Sequence, residues 1–585
     1  MKYILYIIAC LGLCWSCDMN ENPKAQISIE SLFGSETGLK MYTNSFYDAF
    51  PSSTVVYPAS SPYTATNTQN LYLIEGAYSP EMAGGWSWTQ LRNINYFIVN
   101  SQQADVSPDI LNNYQGIARF FRAYFYFNMM ASFGDLPWIN SPMDVDDPAL
   151  YAKRDPRTLI VDSIKADLDF AIGNIKELKS SGCNEITKCV AATLKSRVCL
   201  YEGTFRKYRT EAGLGSSANE WLQEAADAAR FVMDAGYSLY TGSGTEKSYR
   251  QLFISKVPVS TEIICAVTYD GDLGVVHGGN RNWTSTTFSS SPCLIRSFIN
   301  TYLMKDGTPF TDKENYQSMF FSEECKNRDA RLSQTIRTPG FTRIDAGQEV
   351  ATAPNYAYAS TGYHIYKFTL DDTQYDNVDV CDNNSVVFRF AEVLLNYAEA
   401  KAEMGTLTDD EWSVTIGALR SRAGITGGLT AKPTKADPYL QKTYFPDISD
   451  PTILEIRRER WIELVLEGLE WNDICRWKVG KVCTRTWDGV YIPKLDVPYD
   501  MNEDGKPDVC FTQKLDPDKI ADVYYVYVGK TLASGANSNT QLDSDGHTLL
   551  YMKDQKRTWH DKLYFNPIPA NDRVLNPNLD QNPGW

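Results

Sequence analysis

The residues best suited to contact a ligand are aromatic side chains that stand beside polar ones in the stretches HGGNRNWTSTTF, GGWSW and APNYAYAS. A sugar presents apolar C–H faces and a ring of hydroxyls, so a site for one combines aromatic faces with amide or guanidinium groups. The predicted contacts are Trp86, Trp88, Asn280, Arg281, Asn282, Trp283, Tyr356 and Tyr358. Trp283 is the most informative of them, because no periodic pattern gives it a core role. The alternative for each ring is packing against the scaffold, since most aromatic side chains are buried.

A second group of polar residues has the spacing of a metal loop. Asp500, Asn502, Asp504 and Asp508 follow the pattern D-x-N-x-D-G-x-x-D, which matches positions 1, 3, 5, 6 and 9 of a calcium-binding loop. Phe511 stands where that loop carries its bidentate glutamate, and no flanking helices are evident. A structural calcium ion and a polar turn without metal are both compatible with this sequence. No other cofactor is predicted.

Signatures of catalysis are missing from the sequence. It contains no HExxH, GxSxG or SxxK motif and no phosphate-binding loop, and its four histidines are far apart. The carboxyl pair of a glycoside hydrolase is defined in space and not by spacing, so that class stays as a weaker alternative. The sequence therefore favours a binding protein over an enzyme.

Composition limits the class of protein further. The chain has 585 residues, of which 43% are hydrophobic and 22% charged, as in a globular protein with a large core. Its net charge is −16 and it has no long run of lysine and arginine, which argues against nucleic acid as a partner. Ten of its 13 cysteines lie after Cys17, and the sequence does not decide between disulfides and free thiols.

The N-terminus has the features of an export signal. Lys2 precedes an apolar segment from Ile4 to Leu13, and Ser16 and Cys17 follow it. We predict a lipoprotein signal peptide over residues 1–16, lipidation of Cys17 and a tether over residues 17–34. A lipid would anchor the protein to a membrane without spanning it. Ordinary secretory cleavage and a retained membrane anchor are the alternatives.

A helical framework must position the candidate ligand contacts. Apolar periodicity predicts helices at 35–50, 87–103, 108–133, 156–178, 187–206, 219–235, 388–404 and 409–423. Between them, residues 236–387 are rich in Gly, Ser, Thr, Asn and Tyr, and so long an irregular region usually carries function. We predict one domain over residues 35–585, with scaffold at about 35–235 and 388–480. A C-terminal extended segment covers residues 481–585.

The most strongly patterned helix is predicted over residues 451–479. Asp450 can cap it, Pro451 suits its first position, and Gly480 can end it. The carboxylates at 459, 463 and 467 recur every four residues on one side of this helix. Ion pairs that join it to its neighbours are the favoured interpretation of this row, and acid–base chemistry is the other.

Four segments resemble one known family. IRRERWIELVLEGLEWNDICRW, IARFFRAYFYFNMMASFGDLP, FRFAEVLLNYAEAKAEM and the tail KLYFNPIPANDRVLNPNLDQNPGW are similar to blocks of the SusD/RagB family, the nutrient-binding outer-membrane lipoproteins of Bacteroidetes. Glu470 departs from the family, which usually has Arg there. The resemblance implies a mainly α fold, with tetratricopeptide-type helix pairs, long irregular loop regions and a few short strands.

The resemblance also implies a function. It implies a non-catalytic protein, lipid-anchored in the outer membrane and facing the cell surface, that captures an oligo- or polysaccharide for a SusC-like TonB-dependent transporter. The family's ligand contacts come from variable loops, so none transfers to this sequence by motif. RagB-like members imply the alternative of a transporter subunit that binds peptides.

Overall fold

The described parts of the chain are mostly helical. A computed structural model describes residues 32–51, 61–285, 290–529 and 538–585. The helices are α1 (Glu36–Asn44), α2 (Thr89–Asn100), α3 (Pro108–Phe133), α4 (Arg157–Asn174), α5 (Lys188–Tyr208), α6 (Ala218–Met233), α7 (Ser248–Ile254), α8 (Arg281–Thr284), α9 (Arg296–Ile299), α10 (Phe321–Glu324), α11 (Ala330–Thr335), α12 (Phe390–Glu403), α13 (Asp409–Trp412), α14 (Ala418–Arg422), α15 (Pro438–Thr443), α16 (Pro451–Glu463), α17 (Glu470–Trp477) and α18 (Ala570–Leu575). One π-helical segment, Ser413–Gly417, joins α13 to α14.

The strands are short and form small separate sheets. They are β1 (Thr64–Ala65), β2 (Ile263–Val267), β3 (Cys293–Leu294), β4 (Thr342–Asp345), β5 (Gln348–Ala351), β6 (Tyr363–His364), β7 (Ser385–Arg389), β8 (Trp487–Tyr491), β9 (Pro498–Tyr499), β10 (Val509–Thr512), β11 (Tyr524–Tyr527), β12 (Thr540–Leu542) and β13 (Thr548–Tyr551). The strand orders are β1-β3-β6, β11-β10-β9, β12-β13-β8, β2-β7 and β4-β5. Among the described strands, the β10–β11 pair is parallel and the other pairs are antiparallel.

Consecutive long helices pack against each other, as the sequence predicted. The pairs α3–α4 and α5–α6 make the most extensive contacts, and α12 packs on α6 and α16. The long helix predicted at 108–133 has those bounds, with Ser107 as its cap and Pro108 at its first turn. Its aromatic side chains Phe120, Phe121 and Phe127 are buried, and they belong to a core that extends from Phe33 to Leu579.

The prediction of one continuous helix over residues 451–479 is wrong. Asp450 does cap α16, because its carboxylate accepts hydrogen bonds from the backbone N–H groups of Thr452 and Ile453. The chain then leaves the helix after Glu463 and resumes it at Glu470 in α17. Leu466 and Gly468 have φ values of +65° and +80°, which a right-handed helix does not allow. Gly468 was the one signal of this break in the sequence.

The row of carboxylates on α16 and just beyond it forms buried ion pairs, as predicted. Glu463 lies between the guanidinium groups of Arg331, Arg389 and Arg422, and all four side chains are buried. The other pairs of this cluster join Glu459 to Arg331 and Arg420, and Glu467 to Lys367 and Arg389. Because Arg331 and Lys367 come from residues 236–387, their pairs fasten the loop-rich region to the scaffold.

Two further observations concern the cysteines and the membrane. All ten cysteines of the described residues are free thiols, and nine of them are buried. Within the same residues, no helix combines the length and the hydrophobicity that crossing a bilayer requires. The predicted signal peptide, Cys17 and most of the predicted tether lie outside the described residues.

Candidate functional site

One cavity is built entirely from the loop-rich region. Its volume is about 660 Å³, in the range of a site for a small ligand. Residues between Glu246 and Asp371 line it, and they come from α7, α11, the β4–β5 hairpin and the segments beside them. We call it the hairpin cavity. Its lining combines two aromatic rings, those of Phe341 and Tyr366, with three cations and three carboxylates: Lys247, Arg250, Arg343, Glu246, Glu349 and Asp371.

Two ion pairs hold the wall of this cavity. The Arg250 guanidinium donates to both carboxylate oxygens of Asp371, at 2.6 and 3.1 Å, and it lies 4.2 Å from the ring centroid of Tyr366. Arg343 makes the same two-point contact with Asp376, at 2.8 and 3.0 Å. Such bidentate pairs fix both the distance and the orientation of the guanidinium. They hold the two arginines in place.

Asn280 supports this wall from inside the protein. Its side-chain oxygen accepts from the backbone N–H of Leu370 at 2.7 Å, and its Nδ2 donates to the Leu370 carbonyl and to Asp376. Asn280 itself is fully buried. The prediction that it contacts ligand directly is therefore not supported by its position. It is a positioning residue for the segment that carries Asp371 and Asp376.

Replacing Asn280 with Ala is expected to loosen this segment. The change leaves the N–H of Leu370 without its side-chain partner and the C=O with Arg343 alone, at 3.4 Å. We expect this to cost about 1–3 kcal/mol of the free energy of unfolding. Urea denaturation measures that loss. A control is Asn377→Ala, which removes an exposed amide from the same loop. Equal effects of the two substitutions would contradict the supporting role of Asn280.

Trp283 and Tyr356 are buried, so the prediction that their faces are exposed to ligand is wrong. Trp283 is 3% exposed and stacks on Phe368, with ring centroids 5.8 Å apart. Tyr356 is 6% exposed and packs edge-on against Phe511. The polar neighbours of Trp283 suggested a surface loop, but they form the short helix α8. The ring of Trp283 points to a partner 85 residues away, which no local pattern could reveal.

The ring of Tyr358 is partly exposed and packs beside His364. Its ring centroid lies 5.8 Å from that of His364. The backbone N–H of Asn355 donates to His364 Nδ1 at 3.1 Å, so the Nε2 that faces the Trp283 carbonyl at 3.1 Å carries the proton. His364 therefore joins the segments of Trp283 and Tyr358. It uses both ring nitrogens in its neutral form.

The neutral state of His364 makes stability depend on pH. Burial, together with the positive charges of Arg337 and Arg343, holds the pKa of His364 well below its usual 6.5. At pH values between the lowered pKa of folded His364 and the 6.5 of the unfolded chain, the unfolded chain binds more protons than the folded one. Stability therefore falls as the pH is lowered below 6.5. The expected slope from this group is up to about 1.4 kcal/mol per pH unit.

Urea denaturation between pH 7 and 5 measures this slope. His364→Gln keeps one donor and one acceptor, and we expect it to reduce the slope. The control is His560→Gln, because His560 is exposed. An unchanged slope in His364→Gln would contradict the assignment.

The remaining predicted contacts lie partly exposed in two places. Arg281 and Asn282 are on α8, where Arg281 approaches Asp379 at 3.9 Å and Asn282 donates to the Gly278 carbonyl. Trp86 and Trp88 pack edge-on against each other at 5.3 Å. Their other ring contacts are Phe133 for Trp86, and Phe125 and Tyr126 for Trp88, all on α3. As ligand contacts, these four residues stay a prediction.

The polar loop from Asp500 to Asp508 is held by its own backbone. Asp500 accepts from the N–H groups of Asp504 and Gly505, Asn502 accepts from Asp504, and Asp508 accepts from Met501. In the described parts of the chain, no group of three or more His, Cys, Asp and Glu side chains is arranged to hold a metal. Calcium binding here stays a prediction. A fall of Tm on adding EDTA to the calcium-treated protein would support it, and an unchanged Tm would refute it.

Several residues of the hairpin cavity were missed from the sequence. Phe341 is partly exposed, lines the cavity and lies 4.3 Å from Tyr366 between ring centroids. Arg250 and Arg343 also line the cavity, and neither was predicted. The only signal in the sequence was the irregular character of residues 236–387, which marked the region but not its individual residues.

Comparisons with known proteins show which family and which solved structures this chain is similar to. A model of the SusD family matches residues 261–585. SusD-like protein P2 of Formosa agariphila is 22% identical over 502 residues, which cover 82% of this chain and 91% of that protein. A SusD-like protein from Bacteroides fragilis has a TM-score of 0.68 at 21% identity, over 97% of this chain and 100% of the other.

Two further solved structures share the fold. One is a SusD-like carbohydrate binding protein from Bacteroides fragilis, with a TM-score of 0.68, 21% identity and coverage of 94% of this chain and 100% of the other. The other is described as a laminarin binding SusD-like protein, with a TM-score of 0.55, 16% identity and the same coverage of both chains. At these identities the structural likeness establishes the fold alone.

Proposed function

The chain belongs to the SusD family, and from this we propose that it captures a glycan at the hairpin cavity and passes it to a SusC-like TonB-dependent outer-membrane transporter. The observation that carries the proposal is the lining of the cavity. Phe341 offers a partly exposed aromatic ring, while Arg343 and Arg250 stand beside it in fixed orientations. That is the combination of an apolar face and hydrogen-bond donors that a sugar ring requires.

Related proteins support the same ligand class. Among the similar solved structures, one is described as carbohydrate binding and another as laminarin binding. The hairpin cavity also differs from a glycosidase site. A glycoside hydrolase needs two carboxyl groups that face the substrate. Of the three carboxylates that line the cavity, Asp371 is paired with Arg250, Glu246 lies 3.9 Å from Lys305, and Glu349 accepts from the Thr342 hydroxyl. We therefore propose binding without chemistry.

The same proposal also includes where the protein is located in the cell and which transporter it contacts. Lipidation of Cys17 would hold the protein on the outer membrane, facing the cell surface, with the transporter as its partner. The Ser16–Cys17 pair directly after the apolar segment Ile4 to Leu13 supports this anchor. Labelling with palmitate in the wild type and in Cys17→Ala tests the anchor.

One observation favours a second candidate, a peptide ligand. The hairpin strands β4 and β5 form a two-stranded sheet, and all four residues of β5 are exposed. Among the described residues no third strand pairs with β5, so its outer edge can accept an extended peptide as an added strand. This edge belongs to the same hairpin as Phe341 and Arg343.

Affinity electrophoresis distinguishes the two ligands. The soluble protein, without residues 1–17, is run through gels that contain one polysaccharide each, and is titrated in parallel with a library of unstructured peptides. Retardation by a glycan, with no peptide affinity, is the expected result. Peptide affinity without any glycan retardation would move the assignment to the peptide-binding class.

A further inference from the structure

A second cavity of similar size is separate from the hairpin cavity. Its volume is about 630 Å³, and its walls come from α9, the segment 315–318, α15, β8 and the turn between β12 and β13. The two cavities share none of their described lining residues. We call it the polar cavity, because three carboxylates, two guanidinium groups and three side-chain amides line it.

A buried amide in the wall of the polar cavity has an unused acceptor atom. Asn300 directly follows α9 and is 8% exposed, and its Oδ1 has no hydrogen-bond partner within the described residues. Buried polar atoms nearly always have a partner, which is protein, ordered water or ligand. Because Asn300 lines the cavity, a ligand that enters it can supply the missing donor, and a hydroxyl group is such a donor.

The charges of the polar cavity favour a neutral ligand over an anion. Its carboxylates and guanidinium groups are those of Asp488, Asp543, Asp545, Arg296 and Arg485. Arg296 is already paired with the buried Glu324 at 3.4 Å. The carboxylates therefore outnumber the remaining guanidinium group, and a uronate or a sulfate ester would be repelled. Hydroxyl groups, in contrast, can donate to carboxylate oxygens.

Hydrogen bonds within the protein hold two of these carboxylates in place. Asp543 accepts from the backbone N–H groups of His547 and Thr548, at 2.9 and 3.2 Å. Asp488 accepts from the Ser297 hydroxyl at 2.9 Å. An ionised carboxylate offers about four acceptor positions, so both side chains can also accept from a ligand.

Three tyrosine rings supply the apolar faces of the polar cavity, and all three are partly exposed. The Tyr439 hydroxyl donates to the Ser297 carbonyl at 2.8 Å, and its ring packs edge-on against Tyr316, with centroids 6.4 Å apart. Tyr491 stacks on His547, with centroids 5.1 Å apart. Rings held beside hydrogen-bond acceptors are the combination that a sugar with free hydroxyl groups requires.

From the open acceptor, the charges and the rings we propose that the polar cavity is a second binding site, for a neutral oligosaccharide whose hydroxyl groups donate to Asn300 and to the carboxylates. The inference rests on the proposed function, glycan capture, and adds a site to it. Most of the lining is polar, so little apolar surface is buried on binding. We therefore expect this site to be weaker than the hairpin cavity.

Hydrogen exchange locates both sites in one experiment. Amide exchange of the soluble protein is measured by mass spectrometry at increasing concentrations of neutral hexasaccharides of glucose, mannose, galactose or xylose. With one of them we expect slower exchange in two separate sets of peptides. The first set covers residues 338–349 at the hairpin cavity, and the second covers residues 315–318 and 543–548. Hexagalacturonate, an acidic hexasaccharide, should not protect the second set.

Two substitutions assign the second set of peptides to the polar cavity. Asn300→Ala removes the open acceptor and Tyr316→Ala removes one ring. Each should raise the sugar concentration that half-protects residues 543–548 by about tenfold or more. Protection of the hairpin peptides should not change, which also shows that the variants are folded. The control, Tyr151→Ala, removes an exposed ring outside both cavities and should behave like the wild type.

The outcomes separate the two proposals. Protection of the hairpin peptides alone, protection of residues 543–548 that survives both substitutions, or equal protection by hexagalacturonate overturns the second site and leaves glycan capture standing. Protection of the second set alone supports the polar cavity and overturns the hairpin cavity as a glycan site. Protection by no glycan at all overturns both.

Discussion

Glu463→Gln is expected to lower the free energy of unfolding by about 3–5 kcal/mol, the usual cost of removing one partner from a buried ion pair. Glu463 is fully buried among Arg331, Arg389 and Arg422. These three guanidinium groups hold the pKa of Glu463 well below its usual 4.5, so the carboxylate stays charged in the core. Glutamine preserves the shape but leaves the three cations with one negative charge fewer.

Urea denaturation measures this effect, and a surface pair provides the control. Glu323 pairs with Lys326 at 2.7 Å, but its side chain is 62% exposed. Glu323→Gln should therefore change stability by less than about 1 kcal/mol. Similar effects of the two substitutions would show that the buried cluster does not fasten the loop-rich region to the scaffold.

Phe341→Ala is expected to reduce glycan affinity by about 10- to 100-fold, because the loss of one stacking ring costs a few kcal/mol of binding energy. Phe341 is partly exposed at the hairpin cavity, and its backbone is held by hydrogen bonds with Thr338 and Thr352. The substitution removes the ring without touching the two arginine–aspartate pairs of the wall.

Calorimetry with the best glycan of the panel measures the change. Phe231→Ala is the matched control, since Phe231 is 38% exposed on the scaffold helix α6. We expect the control to bind like the wild type. Retained affinity in Phe341→Ala would place the ligand elsewhere on the protein.

The scaffold could be predicted from the sequence because its patterns are local. The helix at 108–133 has a Ser-Pro start and a continuous apolar stripe, and its bounds were predicted correctly. The carboxylates of α16 were correctly assigned to ion pairs, since their four-residue spacing places them on one side of a helix. The break after Glu463 was missed, because Gly468 alone did not outweigh the apolar periodicity and a leucine at 466 gives no sign of its left-handed conformation.

The site could be predicted only as a region. Residues 236–387 were identified by their irregular composition, and the hairpin cavity lies within them. The individual residues of the site could not be predicted, because contacts between residues distant in sequence determine their roles. Trp283 is buried by Phe368 and hydrogen-bonds through its carbonyl to His364. Asn280 was predicted to contact ligand, but its side chain is buried and holds Leu370 and Asp376 in place.

The arginines of the cavity were the site residues least predictable from the sequence. Arg250 and Arg343 are separated by more than ninety residues in the chain, and their partners Asp371 and Asp376 follow in a third segment. No spacing rule relates these positions. Only the fold shows which carboxylate each of the two arginines contacts.

The most direct test of glycan capture is a crystal structure of the soluble protein with a bound oligosaccharide from the panel. We predict an intact sugar chain with one ring against Phe341 and its polar groups hydrogen-bonded to Arg343. A sugar bound instead at another cavity, such as the one lined by Tyr72, Tyr78 and Trp585, would contradict the location of the site. A cleaved sugar would contradict binding without chemistry.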